Sequence, residues 1–270
     1  MARFILGALI LLALPGAALA ADPNCEGPNM LILMDKSGSM GDPISGWSGD
    51  SKFLIAKNAT QSILNTYGGK IRFGLAMFPW TGSCSIGSVR VPVGDNTASQ
   101  IMTVFNSSQA QANGSTPMAD SLNQLAGEAT IHDPARRDFI LFITDGMDTC
   151  TNDANNDPPN AVANVVSSGV DGVFVVGFGG GVDANVLSNM ANNGGYPRAG
   201  NPSYYQADNA ADLSNALNAI INIATAEICD GKDNDCDGDI DEGIAPQACS
   251  GLCGAKGNKL CKSGAWTSCM

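Results

Sequence analysis

Asp35, Ser37 and Ser39 stand at alternate positions of Asp35-Lys36-Ser37-Gly38-Ser39-Met40, directly after the apolar run Met30–Met34. A carboxylate and two hydroxyls in that spacing fall on one side of a tight loop, and Gly38 lets the backbone turn between them. All three are hard oxygen donors, which suit Mg²⁺ or Mn²⁺ and not a soft metal. Two distant segments carry residues able to complete such a site: Thr116, in Gly114-Ser115-Thr116-Pro117, and Asp145, which ends the run Asp138–Thr144. A second oxygen-rich cluster lies near the end of the chain. Asp233, Asp235 and Asp237 alternate before Gly238, and Asp241 follows three residues later. D-x-D-x-D-G-x-x-D is the pattern of a calcium loop, in which the glycine permits a sharp turn and Asp239 offers its backbone carbonyl.

Strands and helices must alternate to bring the first set together. Apolar runs predict strands at Met30–Met34, Ile71–Phe78, Val89–Val93, Phe139–Thr144, Val173–Gly177 and Tyr204–Gln206. Helices are predicted at Ser51–Tyr67, Ala98–Phe105, Pro117–Ala129, Pro159–Ser168, Ala184–Asn192 and Ala210–Ala226. That alternation implies an α/β fold: a doubly wound, mostly parallel sheet with helices on both faces. Val89–Val93 follows Ile71–Phe78 too closely for a crossover helix, so it is expected to pair antiparallel at an edge. With strand order 3-2-1-4-5-6, ligands gather between the Met30 and Phe139 strands, beyond their C-terminal ends. Those two strands deliver Asp35 and Asp145.

D-K-S-G-S-M, the G-S-T-P-M-A-D-S-L block and I-T-D-G-M-D, in that order, resemble the metal-ion-dependent adhesion site of the von Willebrand factor type A family, also found in integrin inserted domains. The resemblance covers roughly residues 28–226. It implies that Ser37, Ser39 and Thr116 bind the ion directly when ligand is present, with Asp35 and Asp145 acting largely through water. Few direct carboxylate bonds leave the cation electron-poor. An acidic group of a partner, in a protein or an extracellular-matrix or envelope ligand, then fills the open position.

Catalytic readings find less support. Gly177-Phe178-Gly179-Gly180-Gly181 invites a nucleotide loop, but the third glycine of G-x-G-x-x-G falls at Val182 and no P-loop lysine follows. No G-x-S-x-G occurs, and an aspartyl phosphatase would want an Asp where Ser37 stands. The single histidine, His132, is expected in an exposed loop. Binding is therefore favoured over catalysis. The alternatives are a structural component of an envelope or extracellular assembly with stabilising metal sites, and a hydrolase or its accessory subunit. Trp47 and Trp80 fall in loops on the expected metal face, where an aromatic either anchors a partner or covers its own loop.

The acidic segment 229–243 holds seven acids and one base. It departs from an EF-hand, because Ile244 occupies position twelve and Asp241 or Glu242 must replace the bidentate Glu. It looks more like a thrombospondin type 3 or dockerin loop, and it resembles a Cys-bracketed D-N-D-C-D-G motif of exported bacterial proteins. Nine cysteines read as disulfides in an exported chain, and six of them follow residue 228. Cys84 and Cys150 fall on the metal face and are expected to pair. A Cys229–Cys236 bridge would close the acidic loop and contribute about 2.5 kcal/mol. Cys249, Cys253, Cys261 and Cys269 look like a two-disulfide knot over 249–269. Cys25 is then the odd one, competing for Cys229 or bonding another chain.

Residues 1–20 have the form of a secretory signal: Arg3, an apolar stretch from Phe4 to Leu14, and Ala18-Leu19-Ala20 before the cut. No cysteine stands at the cut, which argues against a lipid anchor, and no later run is long enough to span a membrane. The mature protein is expected to be exported and soluble. It would carry 13 basic and 26 acidic residues, a net charge of −13. So acidic a chain argues against nucleic acid as a partner, since phosphate contacts need Lys and Arg.

Overall fold

A strand buried on both faces needs apolar side chains at every position, and the long runs meet that demand. Strands β1 (Asn29–Asp35), β4 (Asp138–Thr144) and β5 (Gly172–Phe178) are buried from end to end. The computed structural model describes residues 25–44, 49–250 and 256–270. The expected signal segment, Trp47 and Cys253 lie outside the described residues.

With β2 (Arg72–Phe78), β3 (Ser88–Gly94) and β6 (Tyr205–Ala207), these strands form one sheet in the order β3-β2-β1-β4-β5-β6. All neighbours run parallel except β2 and β3, so both the predicted order and the antiparallel edge are observed. Alternation along β1 divides its side chains between two layers. Met30, Ile32 and Met34 pack with helices α1 (Lys52–Tyr67), α2 (Ala98–Phe105) and α6 (Ala210–Ala224). Leu31 and Leu33 pack with α3 (Met118–Leu125), α4 (Asp157–Ser167) and α5 (Ala184–Asn193) on the other face.

Helix α3 ends four residues before the predicted Ala129. Gly127 follows it, and the Glu128 carboxylate then caps a new 3-10 turn by accepting Thr130 N at 3.2 Å and Thr130 Oγ1 at 2.7 Å.

The tail adds two short antiparallel pairs: β7 (Gln247–Ser250) with β8 (Lys256–Lys259), and β9 (Cys261–Lys262) with β10 (Ala265–Trp266). Cys84 and Cys150 are bonded, as expected. The tail pairing differs from expectation: Cys229 bonds Cys261, Cys236 bonds Cys25, and Cys249 bonds Cys269. Cys25 bridges to Asp233 beside the sheet, so the Cys236 thiol meets it rather than Cys229. Among the described residues, no helix is long and apolar enough to cross a membrane.

Candidate metal centre

Strand β1 runs straight into its chemistry, because Asp35 is its last residue and is fully buried. The chain then turns through a single 3-10 turn, Gly38–Gly41. That turn is pinned from two sides: Lys36 N donates to Phe78 O at 2.7 Å, and Gly38 N to Gly114 O at 2.9 Å. Asp35 Oδ1 accepts Ser37 N at 2.7 Å, and its Oδ2 accepts the Thr144 hydroxyl at 2.6 Å. Burial pushes the Asp35 carboxyl up to about 7; these hydrogen bonds oppose the rise and the nearby Asp145 charge adds to it.

Hydroxyls link the two carboxylates. Ser37 Oγ and Ser39 Oγ lie 3.2 Å apart, and Ser39 Oγ donates to Asp145 Oδ1 at 2.8 Å. Four of the five expected residues thus form one connected chain. Thr116 is set beside it by its own segment. Asn113 N donates to Lys36 O at 2.8 Å, and the buried Lys36 ammonium reaches Asn113 Oδ1 at 3.3 Å. Thr116 N donates to Thr149 Oγ1 at 2.8 Å, Thr149 N returns to Thr116 O at 3.1 Å, and Ser115 N donates to Ser83 O at 2.7 Å. Ser83 and Thr149 each neighbour one half of the Cys84–Cys150 disulfide, so that bond braces both loops holding the Thr116 backbone.

Several contributors escaped the sequence reading. Thr144 supports Asp35 from the adjacent strand. Asp148 is buried and ties its loop to α3 by accepting Ala119 N at 2.8 Å, while Cys150 N donates to it at 2.8 Å. Its place three residues after Asp145 in I-T-D-G-M-D was the available signal. Lys52 donates to Asp145 Oδ2 at 2.6 Å, and nothing in its local sequence marks it. Trp80 is partly buried against the core, with the Arg90 guanidinium of β3 4.2 Å from its ring centroid. His132 precedes β4, at the opposite end of the sheet, with its ring nitrogens on Glu128 O and Ser168 Oγ.

Two carboxylates and two hydroxyls, of Asp35, Asp145, Ser37 and Ser39, connected at the C-terminal ends of β1 and β4 offer oxygen alone, the donor chemistry of a hard divalent cation. The sequence profile of the von Willebrand factor type A domain matches residues 29–219. The chain belongs to that family.

Solved structures with the VWA fold extend the comparison. Proximal thread matrix protein 1 from the mussel byssus is 17% identical with TM-score 0.56, over 73% of this chain and 48% of that one. Another structure of the mussel protein is described as having a zinc-occupied MIDAS motif. The PilB minor pilin from Streptococcus sanguinis is 14% identical with TM-score 0.54, over 73% of this chain and 61% of that one. The pilus adhesin SpaC from Lactobacillus rhamnosus GG is 17% identical with TM-score 0.57, over 74% of this chain and 31% of that one. This chain thus spans about half the length of the mussel protein, and the likeness to all three is one of fold. No curated protein matches the sequence.

The acidic tail beyond the VWA domain arranges its residues differently from the expected pattern. Asp233 is buried and accepts Asp237 N at 3.2 Å and Gly238 N at 3.0 Å. Gly238 makes the turn with φ +102°, which favours glycine. Asp241 faces elsewhere: its carboxylate accepts Gly231 N at 3.0 Å, Gly264 N at 2.7 Å and Asp230 N at 3.1 Å, which hold it below the ordinary aspartate range. Asp239 is exposed. Glu227, just after α6, and Glu242 come in instead. Carboxylate oxygens of Glu227, Asp233 and Asp235 lie within 4.8 Å of one another, as do those of Asp235, Asp237 and Glu242. Asp235 Oδ1 and Glu242 Oε2 are buried with no hydrogen-bond partner.

Proposed function

We propose that this VWA domain is an adhesion or ligand-binding module that captures an acidic group of a partner through a Mg²⁺ or Mn²⁺ ion held by Asp35, Ser37, Ser39, Thr116 and Asp145. The observation that carries this reading is the continuous bonding from Asp35 through Ser37 and Ser39 to Asp145 at the sheet's switch point. A bound ion would supply Lewis acidity toward one carboxylate oxygen of the partner. The chain's own residues do the rest. Thr144 and the Ser37 amide fix Asp35, the disulfide-braced loops hold Thr116, and Ser39 orients Asp145. The partner fits as a protein or an extracellular-matrix or envelope ligand, since pilus adhesin and byssus matrix are the settings of two proteins of like fold. Disulfides form and persist in oxidising compartments, so the four among the described residues support export.

The test is recovery of a partner from a native surface or matrix extract by wild type and Thr116→Ala, each with Mg²⁺ and with chelator. Recovery by wild type with Mg²⁺ alone is the expected result. Equal recovery in all four samples would favour a structural role in an assembly.

We further propose that the tail binds Ca²⁺ through Glu227, Asp233, Asp235, Asp237 and Glu242. The buried, unpartnered oxygens of Asp235 and Glu242 support this, since a buried acceptor without a donor costs about 1–3 kcal/mol and more when charged. A cation seated among them removes that cost.

A further inference from the structure

The acidic side of the metal centre already has a cation supplied by the chain itself. Lys52 opens α1, and its Nζ lies 2.6 Å from Asp145 Oδ2 and 3.3 Å from Ser39 O. The Lys52 side chain is 13% exposed and the Asp145 side chain 0%. This placement is fixed from both ends. Ser51 Oγ caps α1 by accepting Leu54 N at 3.1 Å, which anchors the helix start. Across from it, Gly179 has φ +82°, and a Cβ there would lie 3.6 Å from Lys52 Cδ and Cε. The glycine loop after β5 therefore lies along the lysine stem. The same loop closes over Asp145, because a Cβ at Gly181 would lie 2.9 Å from Asp145 O.

With Lys52 in place, all four carboxylate oxygens of the centre have donors from the protein. Asp35 takes Ser37 N and Thr144 Oγ1, and Asp145 takes Ser39 Oγ and Lys52 Nζ. Asp145 is thereby ion-paired as well as hydrogen-bonded. A divalent ion drawing on the same Asp145 carboxylate would meet the ammonium a few ångströms away, and the like charges would repel. An ammonium on a four-carbon stem can swing out without moving the helix, whereas a planar guanidinium fork could not do so as readily.

We infer that Lys52 is a built-in counter-cation of this centre, which holds Asp145 when no metal is bound and withdraws when a divalent ion enters. The inference rests on the reading that Asp35, Ser37, Ser39, Thr116 and Asp145 hold such an ion, and it adds how that site is regulated. Metal binding is then an exchange of one internal charge for an external ion. The exchange weakens apparent affinity, so the centre fills only when the surrounding ion concentration is high. It also couples occupancy to the N-terminus of α1 and to the glycine loop, the two elements that touch the lysine.

Two measurements on the mature chain test this. The first is amine labelling of wild type read by mass spectrometry at Lys52, with chelator and with saturating Mg²⁺. Labelling of Lys52 is expected to rise several-fold with Mg²⁺ while Lys57 stays constant; unchanged Lys52 labelling at confirmed Mg²⁺ saturation overturns the inference. The second is calorimetry of Mg²⁺ and Mn²⁺ binding to wild type, Lys52→Met, Lys52→Arg and Asp145→Ala. Lys52→Met is expected to bind about tenfold more tightly than wild type, and Lys52→Arg more weakly than wild type. Equal or weaker binding by a folded Lys52→Met, with Asp145→Ala losing the ion, would leave the metal site standing and remove the counter-cation. Absence of binding in wild type and Lys52→Met alike would overturn both.

Discussion

Thr144 and Asp138 show how much depends on single buried polar groups. Among the described residues, the Thr144 hydroxyl is the only side-chain donor to Asp35 from a neighbouring strand, and both residues are fully buried. Thr144→Val keeps the shape and leaves Asp35 Oδ2 without its donor, at a cost of about 1–3 kcal/mol. Urea unfolding in chelator should show a lower midpoint at unchanged slope. Asp138 is 2% exposed and accepts Asn29 Nδ2 at 2.7 Å and Asp133 N at 2.7 Å. Burial nevertheless raises its carboxyl above the ordinary aspartate value, against these hydrogen bonds. The unfolded chain therefore gives up this proton at lower pH than the folded one. The contribution of this group to stability is complete below the unfolded pKa of about 3.9 and declines as pH rises through the folded value. Denaturation at a series of pH values above 4 should show wild type losing stability relative to Asp138→Asn as pH rises. A difference that stays flat would mean that Asp138 titrates normally.

At the level of elements, the metal face depends on loops more than on strands. Thr149 and Ser83 hold the Thr116 segment, and the Cys84–Cys150 bond closes a separation of 66 residues between them. Loop-closure entropy assigns such a bond about 4 kcal/mol. A Cys84→Ser/Cys150→Ser variant should melt earlier and also bind Mg²⁺ more weakly, because Thr116 is then no longer held in place. Paired melting and calorimetry separate the two effects; lost stability with unchanged Mg²⁺ affinity would confine the bond to a structural role. Within the sheet, Gly74 on β2 is the close-approach position. A Cβ there would lie 2.7 Å from Val93 Cγ2 and 2.8 Å from Val93 N, where β3 shifts register. Gly74→Ala should cost about 1–3 kcal/mol by overpacking, read as a lower unfolding midpoint.

Across the whole molecule, the two acidic centres sit at opposite ends of the sheet. The tail docks where β1 and β4 begin: Cys236 bonds Cys25, Lys232 Nζ donates to Ala135 O at 2.8 Å and to Glu26, and Arg137 Nη2 donates to Ala226 O at 2.8 Å. Asp35 and Asp145 lie at the far ends of those strands, a seven-residue strand or about 20 Å away. Sites that far apart with no shared partner act independently. Asp235→Asn should therefore reduce the rise in melting temperature produced by millimolar Ca²⁺ and leave Mg²⁺ affinity unchanged. Asp145→Ala should do the reverse. Thermal melts in Ca²⁺ and Mg²⁺ calorimetry on both variants check this, and loss of both ions from either variant would show the ends to be coupled.

The sequence by itself determined the layered α/β sheet and the turn that bears Asp35, because short apolar runs such as Met30–Met34, alternating with helical patterns, read as strands covered on both faces, while the strand order was the usual one for such sheets. Asp35, Ser37 and Ser39 were legible because their spacing is local to one turn, and Asp145 because a strand end places it. Tertiary structure alone decided what surrounds them. Lys52 reaches Asp145 across 93 residues, and Cys236 finds Cys25 across 211. Glu227 joins the tail carboxylates from outside the D-x-D-x-D-G repeat, and of the two candidates Asp241 and Glu242 it is Glu242 that joins them, while Asp241 turns to three backbone N–H groups. The physical reason is the same in each case. Local spacing fixes which side of a turn a side chain leaves from, but a buried charge or thiol takes the partner that the packed chain brings within bonding distance.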